Sequence, residues 1–149
     1  MYTRFTKFVG LITKINRCVK KIKTEETEKF KLKSTHVSCL LYLYKAGSAS
    51  ITTMCDVLEE DKAAISRTID YLEKNSFVLR DPSKKYKTEI TLKERGRVVG
   101  ARLWDKVEEI VSKIDGLLTD DERVILYGSL GKISNALTEY CNGYPVNNE

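Results

Sequence analysis

Apolar side chains recur three and four positions apart along most of the chain, which is the spacing of one helix face. The first such run predicts a helix over about residues 3–23, with the alternating steps of a heptad seam. The polar and charged stretch 24–33 then predicts a loop. The seam residues are Phe5, Phe8, Ile12, Ile15, Val19 and Ile22.

Three short helices are predicted next, each beginning at a residue whose side-chain oxygen can accept a hydrogen bond from a first-turn N–H. Ser34 caps the first of them, and Gly47 ends it. Ser50 caps the second, and Asp61 caps the third, which runs to about Asn75. The outer face of the third helix carries Lys62, Ala63, Ser66 and Arg67.

A β-hairpin and two long helices are predicted to complete the chain. Residues 77–80 and 88–92 form the strands, and Asp81-Pro82-Ser83-Lys84 fits a type I turn between them. Capping-box spacing at Thr91–Glu94 and Thr119–Glu122 predicts the starts of the fifth and sixth helices. The hairpin tip is basic, with Lys84, Lys85 and Lys87.

This order of elements is the layout of a winged helix-turn-helix. The DNA major groove admits one α-helix, and a helix that approaches base edges needs small and polar side chains on its outer N-terminal face. The third short helix meets that demand, and a basic hairpin can follow the DNA backbone or enter the minor groove. The expected DNA contacts are Ser50, Thr52, Lys62, Ala63, Ala64, Ser66, Arg67, Arg80, Lys84, Lys85 and Lys87.

The terminal helices have apolar faces beyond the needs of a DNA-reading core, which predicts a partner for them. A two-fold homodimer is the commonest arrangement, and it would bind a palindromic site with half-sites about 34 Å apart. We therefore expect a DNA-binding domain over 34–97 and a helical dimerisation region over 1–33 and 98–149. The expected dimer contacts are Phe5, Phe8, Ile12, Ile15, Leu130, Ile133 and Leu137.

Composition agrees with a mainly α fold that carries a small β-hairpin wing (α+β). The 149 residues include only 8 Gly and 2 Pro, too few turn residues for an all-β sandwich. No apolar run approaches the ~20 residues of a membrane span, and the polar opening lacks the apolar core of a signal peptide. We expect a cytoplasmic protein. The net charge of +5 includes +4 over residues 61–97.

Candidate catalytic and metal-binding groups are scarce. The single histidine, His36, is expected on the surface at a helix start, and no ligand cluster or phosphate-binding loop accompanies it. The four cysteines, none in a C-x-x-C pair, are expected to be small buried hydrophobes, with Cys18 beside Arg17 the best alternative as a redox-sensing thiol. We expect neither a cofactor nor an enzyme.

The segment Ala63–Arg80 resembles the recognition helix and wing entry of MarR-type transcriptional regulators, the family of multiple antibiotic resistance regulators. That family usually has Ser-Thr-Val-Thr-Arg-x-x-x-x-Leu-Glu-x-x-Gly-x-x-x-Arg, and Leu92–Gly96 resembles its Leu-Thr-x-x-Gly. Ser76 departs from the family glycine, Lys93 from its threonine, and Met54-Cys55 from its Leu-Ala. The tip 84–87 departs from the Asp-x-Arg wing signature.

The resemblance implies a homodimeric repressor or activator that a small ligand or cysteine oxidation releases from its operator. The ligand would lie between the dimer helices and the DNA-binding domain, where Tyr42, Tyr44 and Trp104 are candidates for its pocket. Two further hypotheses stay open: a winged helix that binds another protein, and a cysteine-based redox-sensing regulator.

Overall fold

The chain folds into helices around a small antiparallel sheet, which confirms the predicted mainly α winged-helix class. The computed structural model describes residues 2–25, 27–81 and 88–143. None of the helices in this part of the chain is long and apolar enough to cross a membrane. The elements are α1 Tyr2–Glu25, a 3-10 helix Glu28–Phe30, α2 Ser34–Ala46, β1 Ser48–Ala49, α3 Ile51–Leu58, α4 Lys62–Lys74, β2 Val78–Asp81, β3 Glu89–Leu92, α5 Glu94–Asp115 and α6 Asp120–Asn142.

Side-chain caps begin three of these helices at the predicted residues. Ser50 Oγ accepts the N–H of Thr53 at 3.1 Å, and Asp61 Oδ1 accepts the N–H of Ala64 at 2.8 Å. At α6, Glu122 Oε2 accepts the N–H of Thr119 at 2.8 Å, completing a capping box. These bonds satisfy donors that a helix start leaves free, so the local sequence alone decides where α3, α4 and α6 begin.

Two predicted helix starts are wrong. The N-cap of α2 is Lys33 rather than Ser34, and its N–H donates to Nδ1 of His36 at 3.1 Å. Thr91 lies inside β3, opposite Leu79, so its predicted cap of α5 falls too early and the helix begins only at Glu94. In both places a tertiary contact takes up the residue that the local pattern had assigned to a cap.

His36 is buried, contrary to the expected surface position. Its side chain is 7% exposed, and its ring stacks on Tyr71 of α4 with a centroid separation of 4.3 Å and an interplanar angle of 9°. Burial lowers the pKa of His36, and the charge of Lys33 lowers it further. The imidazole therefore joins α2 to α4 as a neutral ring.

Acidification is expected to destabilise the protein through this histidine. Because the folded-state pKa lies below the ordinary value of about 6.5, its contribution is fully present above that value and is lost as pH falls through the folded pKa. The chain has one histidine, so denaturant unfolding between pH 7.5 and 5.5 isolates this group. His36→Gln is a matched control, since glutamine can also accept from the N-cap but does not titrate. Equal pH slopes in both proteins would contradict the prediction.

The core lies where α2, α3 and α4 pack against the sheet. Its strand order is β1-β3-β2, and Val78 pairs with Leu92 while Asp81 pairs with Glu89. The two-residue strand β1 was not predicted, because it is too short to show an alternating pattern. Fully buried side chains include Val37, Leu40, Leu43, Met54, Ile65, Ile69, Leu72, Phe77 and Ile90.

The chain divides into two compact units, residues 1–106 and 107–149. The first contains the core. In the second, none of the described residues is buried, and α6 has no buried residue along its 23 positions. The first unit therefore has its own hydrophobic core, whereas the apolar side chains of the second are left open.

The cysteines do not share one environment. Cys39 is buried, as predicted, and Cys55 is partly so, but Cys18 and Cys141 are exposed on α1 and α6, where the prediction of burial is wrong. Burial raises the pKa of Cys39 to about 12, and Glu60 and Cys55 raise it further. A thiol with this pKa is almost never a thiolate near neutral pH, which argues against Cys39 as a redox sensor.

Candidate nucleic-acid interface

Helix α4 presents two opposite faces because its apolar residues follow helical spacing. Ile65, Ile69 and Leu72 are fully buried, whereas Lys62 and Arg67 are exposed. Ala63 is also exposed, and Ala64 and Ser66 are half-buried. The outer face is therefore short-sided around Arg67, which leaves the backbone of α4 accessible to a large ligand.

A cleft of about 290 Å³ borders the start of α4, and we name it the wing cleft. It brings together four of the predicted DNA contacts, from α3, α4 and β2. Ser50 itself is 6% exposed, and its hydroxyl bonds Thr53 within the cap. We therefore assign Ser50 to capping α3 rather than to DNA contact. The lining residues are Ser50, Ile51, Thr52, Lys62, Arg80, Thr88 and Ile90.

Arg80 joins the wing to α4 through carboxylates. Its guanidinium pairs with Asp70 and with Glu73, and its backbone N–H donates to Glu73 Oε1 at 3.2 Å. The side chain is 27% exposed. A guanidinium held by two carboxylates sets the position of β2 against α4, so we assign Arg80 to orienting the wing rather than to direct DNA contact.

The remaining wing residues of the prediction, Lys84, Lys85 and Lys87, lie outside the described residues. The hairpin base is defined, since Arg80 pairs with Ile90 and Asp81 with Glu89.

Two of the three aromatic pocket candidates share a cavity. Tyr42 and Trp104 line a space of about 310 Å³ with Lys23, Lys45 and apolar side chains of α2 and α3. The ammonium of Lys45 lies 4.0 Å from the centroid of the Trp104 ring, and Lys23 Nζ donates to Ser38 Oγ at 3.1 Å. Tyr44 lies elsewhere, against Gly100 and beside Arg97, so the expectation of one three-aromatic pocket is wrong.

The predicted dimer residues are largely exposed in the single chain. On α1, Ile12 is 41% and Ile15 58% exposed, while Phe8 is half-buried and the side chain of Phe5 is outside the description. On α6, Leu130, Ile133 and Leu137 are each at least 36% exposed. Both helices thus carry apolar rows that the described chain leaves uncovered.

Comparison with known proteins places this architecture. Residues 32–86, which contain α2 to the wing, match the model of the MarR family. A search of curated proteins found no match.

Solved structures share the fold over nearly the whole chain. One is a MarR family regulator from Listeria monocytogenes complexed with 26mer DNA, with 18% identity, a TM-score of 0.77 and coverage of 95% of this chain and 97% of that one. Another is a MarR mutant from E. coli complexed with operator DNA, with 20% identity, a TM-score of 0.66 and coverage of 87% and 97%. A third is an organohalide-sensing transcriptional regulator bound to 2,4-dichlorophenol, with 18% identity, a TM-score of 0.68 and coverage of 87% and 78%.

The family match covers the helix-turn-helix and the start of the wing, and the shared fold extends over the terminal helices. The chain belongs to the MarR family of winged-helix regulators.

Proposed function

We propose that this protein is a sequence-specific DNA-binding transcriptional regulator that acts as a homodimer on a palindromic operator. The observation that carries the proposal is the outer face of α4, which places Lys62, Ser66 and Arg67 on a short-sided surface beside the hairpin. Arg67 can form a bidentate contact with guanine, and the alanines can pack on thymine methyl groups. The family match and the DNA complexes of proteins with this fold support the same function.

The direct experiment is selection of bound fragments from a random DNA pool, followed by gel shifts at several salt concentrations. We expect an inverted repeat, bound more tightly than a scrambled duplex of the same length. Absence of any enriched sequence, together with no shift at low salt, would contradict DNA recognition and favour a winged helix that binds another protein.

A second copy of the chain is the proposed partner of α6. This helix of 23 residues has no buried residue, yet its apolar row continues through Leu126, Leu130, Ile133 and Leu137. Isolated helices are marginal in water, and most helical stability comes from packing of an apolar face. Identical chains supply identical apolar rows, so a two-fold contact covers both.

Charge placed in this row is expected to dissociate the dimer. In an Ile133→Glu, Leu137→Glu variant, each dimer would bury four carboxylates against apolar side chains, which is unfavourable without partners. Light scattering should give twice the chain mass for the wild type and a single chain mass for the variant. Val98→Glu is the matched control, because Val98 is also exposed and apolar but lies on α5. A monomeric wild type would contradict the dimer proposal.

We also propose that the cavity beside Trp104 admits a small aromatic anion as an effector. The indole and Tyr42 offer flat apolar walls, and Lys23 and Lys45 offer positive charge. The family structure bound to a chlorinated phenol supports this ligand chemistry.

Trp104 provides a built-in assay, because it is the single tryptophan of the chain. Titration with a substituted benzoate or phenol should quench its fluorescence in the wild type, and the change should weaken in Lys45→Gln. Lys113→Gln is a control on another part of α5. Unchanged fluorescence across a panel of such compounds would exclude this cavity as their site.

A further inference from the structure

A second cleft borders α4 on the side that faces α2, and we name it the α2 cleft. Its volume is about 390 Å³. Three of its side chains are cations, Lys31 and Lys33 from the segment before α2 and Arg67 from α4, and its lining includes no carboxylate among the described residues. The lining residues are Lys31, Lys33, Thr35, His36, Ala64, Arg67, Thr68 and Tyr71.

The backbone that carries the two lysines is fastened to α4. Tyr71 donates its hydroxyl hydrogen to the carbonyl oxygen of Lys31 at 3.0 Å. The same tyrosine ring stacks on His36, whose Nδ1 accepts the N–H of Lys33 at 3.1 Å. The stacked rings form the floor of the α2 cleft, so both lysines start from fixed positions beside the outer face of α4.

The cations of the α2 cleft have no counter-charge within the described ion pairs. Lys31, Lys33 and Arg67 are all exposed, and two hydroxyl groups, those of Thr35 and Thr68, complete the lining. Lysine and arginine clustered with hydroxyl donors form an arrangement that binds a phosphate oxyanion.

The position of the cleft indicates where that phosphate comes from. A helix in the major groove lies between two phosphate backbones. On one side of α4 the wing cleft presents Lys62, and on the other side the α2 cleft presents Lys31 and Lys33. We propose that the α2 cleft binds a backbone phosphate of the operator strand opposite the one that the wing follows. This inference rests on the proposed DNA-binding function and adds two contacts outside the helix-turn-helix pair and the wing.

A double substitution, Lys31→Gln with Lys33→Gln, tests the proposal. Removing each phosphate contact should flatten the slope of log affinity against log salt by about one unit for each subunit, which is about tenfold in affinity over a tenfold change in salt. Because phosphate contacts carry no sequence information, the ratio of specific to scrambled DNA affinity should stay nearly constant. Lys14→Gln with Lys20→Gln is the matched control, since these exposed lysines lie on α1 away from the apolar seam.

A second measurement locates the phosphate on the DNA. Methylphosphonate replacement, which removes the charge of one phosphate at a time along each strand, should identify a position whose neutralisation weakens wild-type binding but not binding by the double variant. If the wild type binds its selected operator and the double variant keeps the full salt slope, the α2 cleft proposal is overturned while DNA binding stands. If the wild type binds no DNA, both proposals fail.

Discussion

Replacing Arg67 by alanine is expected to lower the affinity for the selected operator by about 1–3 kcal/mol for each half-site that it reads. Arg67 is exposed on the outer face of α4, at the edge of the α2 cleft, and none of the ion pairs described for the chain includes it. Its guanidinium is thus available to a base edge or to a phosphate. The effect should be measured as the dissociation constant for the operator and for a scrambled duplex at the same salt concentration.

The two duplexes separate the two roles of Arg67. A guanine contact would make Arg67→Ala lose operator affinity while binding to the scrambled duplex changes little, and Arg67→Lys would restore little because lysine cannot form the bidentate fork. A phosphate contact would weaken both duplexes alike and be largely restored by lysine. Arg102→Ala, an exposed arginine on α5, is the control. Unchanged binding to both duplexes would remove Arg67 from the interface.

Gly96→Ala is expected to lower the free energy of unfolding by about 3 kcal/mol or more, because overpacking against a backbone atom cannot be relieved by rotating a side chain. A Cβ at this position would lie 2.1 Å from the carbonyl oxygen of Phe77 and 3.1 Å from Leu92 Cδ2. That carbonyl also accepts the N–H of Lys93 at 2.9 Å. The first turn of α5, the end of β3 and the residue before β2 therefore meet at a point where only hydrogen fits.

Gly10→Ala is the matched control for this prediction. Nothing lies within 4 Å of a Cβ built at Gly10, which is interior to α1 and opposite its apolar seam. Alanine in an open helix interior should stabilise the protein by about 0.5–1 kcal/mol. Denaturant unfolding of both variants at one protein concentration keeps any contribution from association constant. Equal stability of Gly96→Ala and the wild type would show that α5 can shift away from Phe77.

Local chemistry predicted much of the fold. The caps at Ser50, Asp61 and Thr119 fall where hydrogen-bonding side chains precede an apolar period, because the free N–H groups of a helix start need an acceptor nearby in sequence. The two main strands were recognised for a similar reason, since β-branched and aromatic residues are concentrated there. Strand β1 has two residues and exists only because β3 supplies the partner for Ala49.

The candidate site was only partly predictable. The outer face of α4 follows from helical spacing, but the partners of its neighbours do not. Arg80 appeared to be a free cation until folding placed Asp70 and Glu73 against its guanidinium. Lys31 and Lys33 lay in what was predicted to be a loop, and the hydrogen bond from Tyr71, forty residues away in sequence, fastens that segment beside the recognition helix.

The order of residues by itself determined the period, the ends and the outward face of the helices, since these depend on contacts within about one helical turn. The tertiary structure alone decided which charges are neutralised, which rings stack and where a glycine is obligatory. Those properties depend on distances between segments far apart in sequence, such as Phe77 with Gly96 and His36 with Tyr71. A one-dimensional pattern carries no information about such distances until the core has brought the segments together.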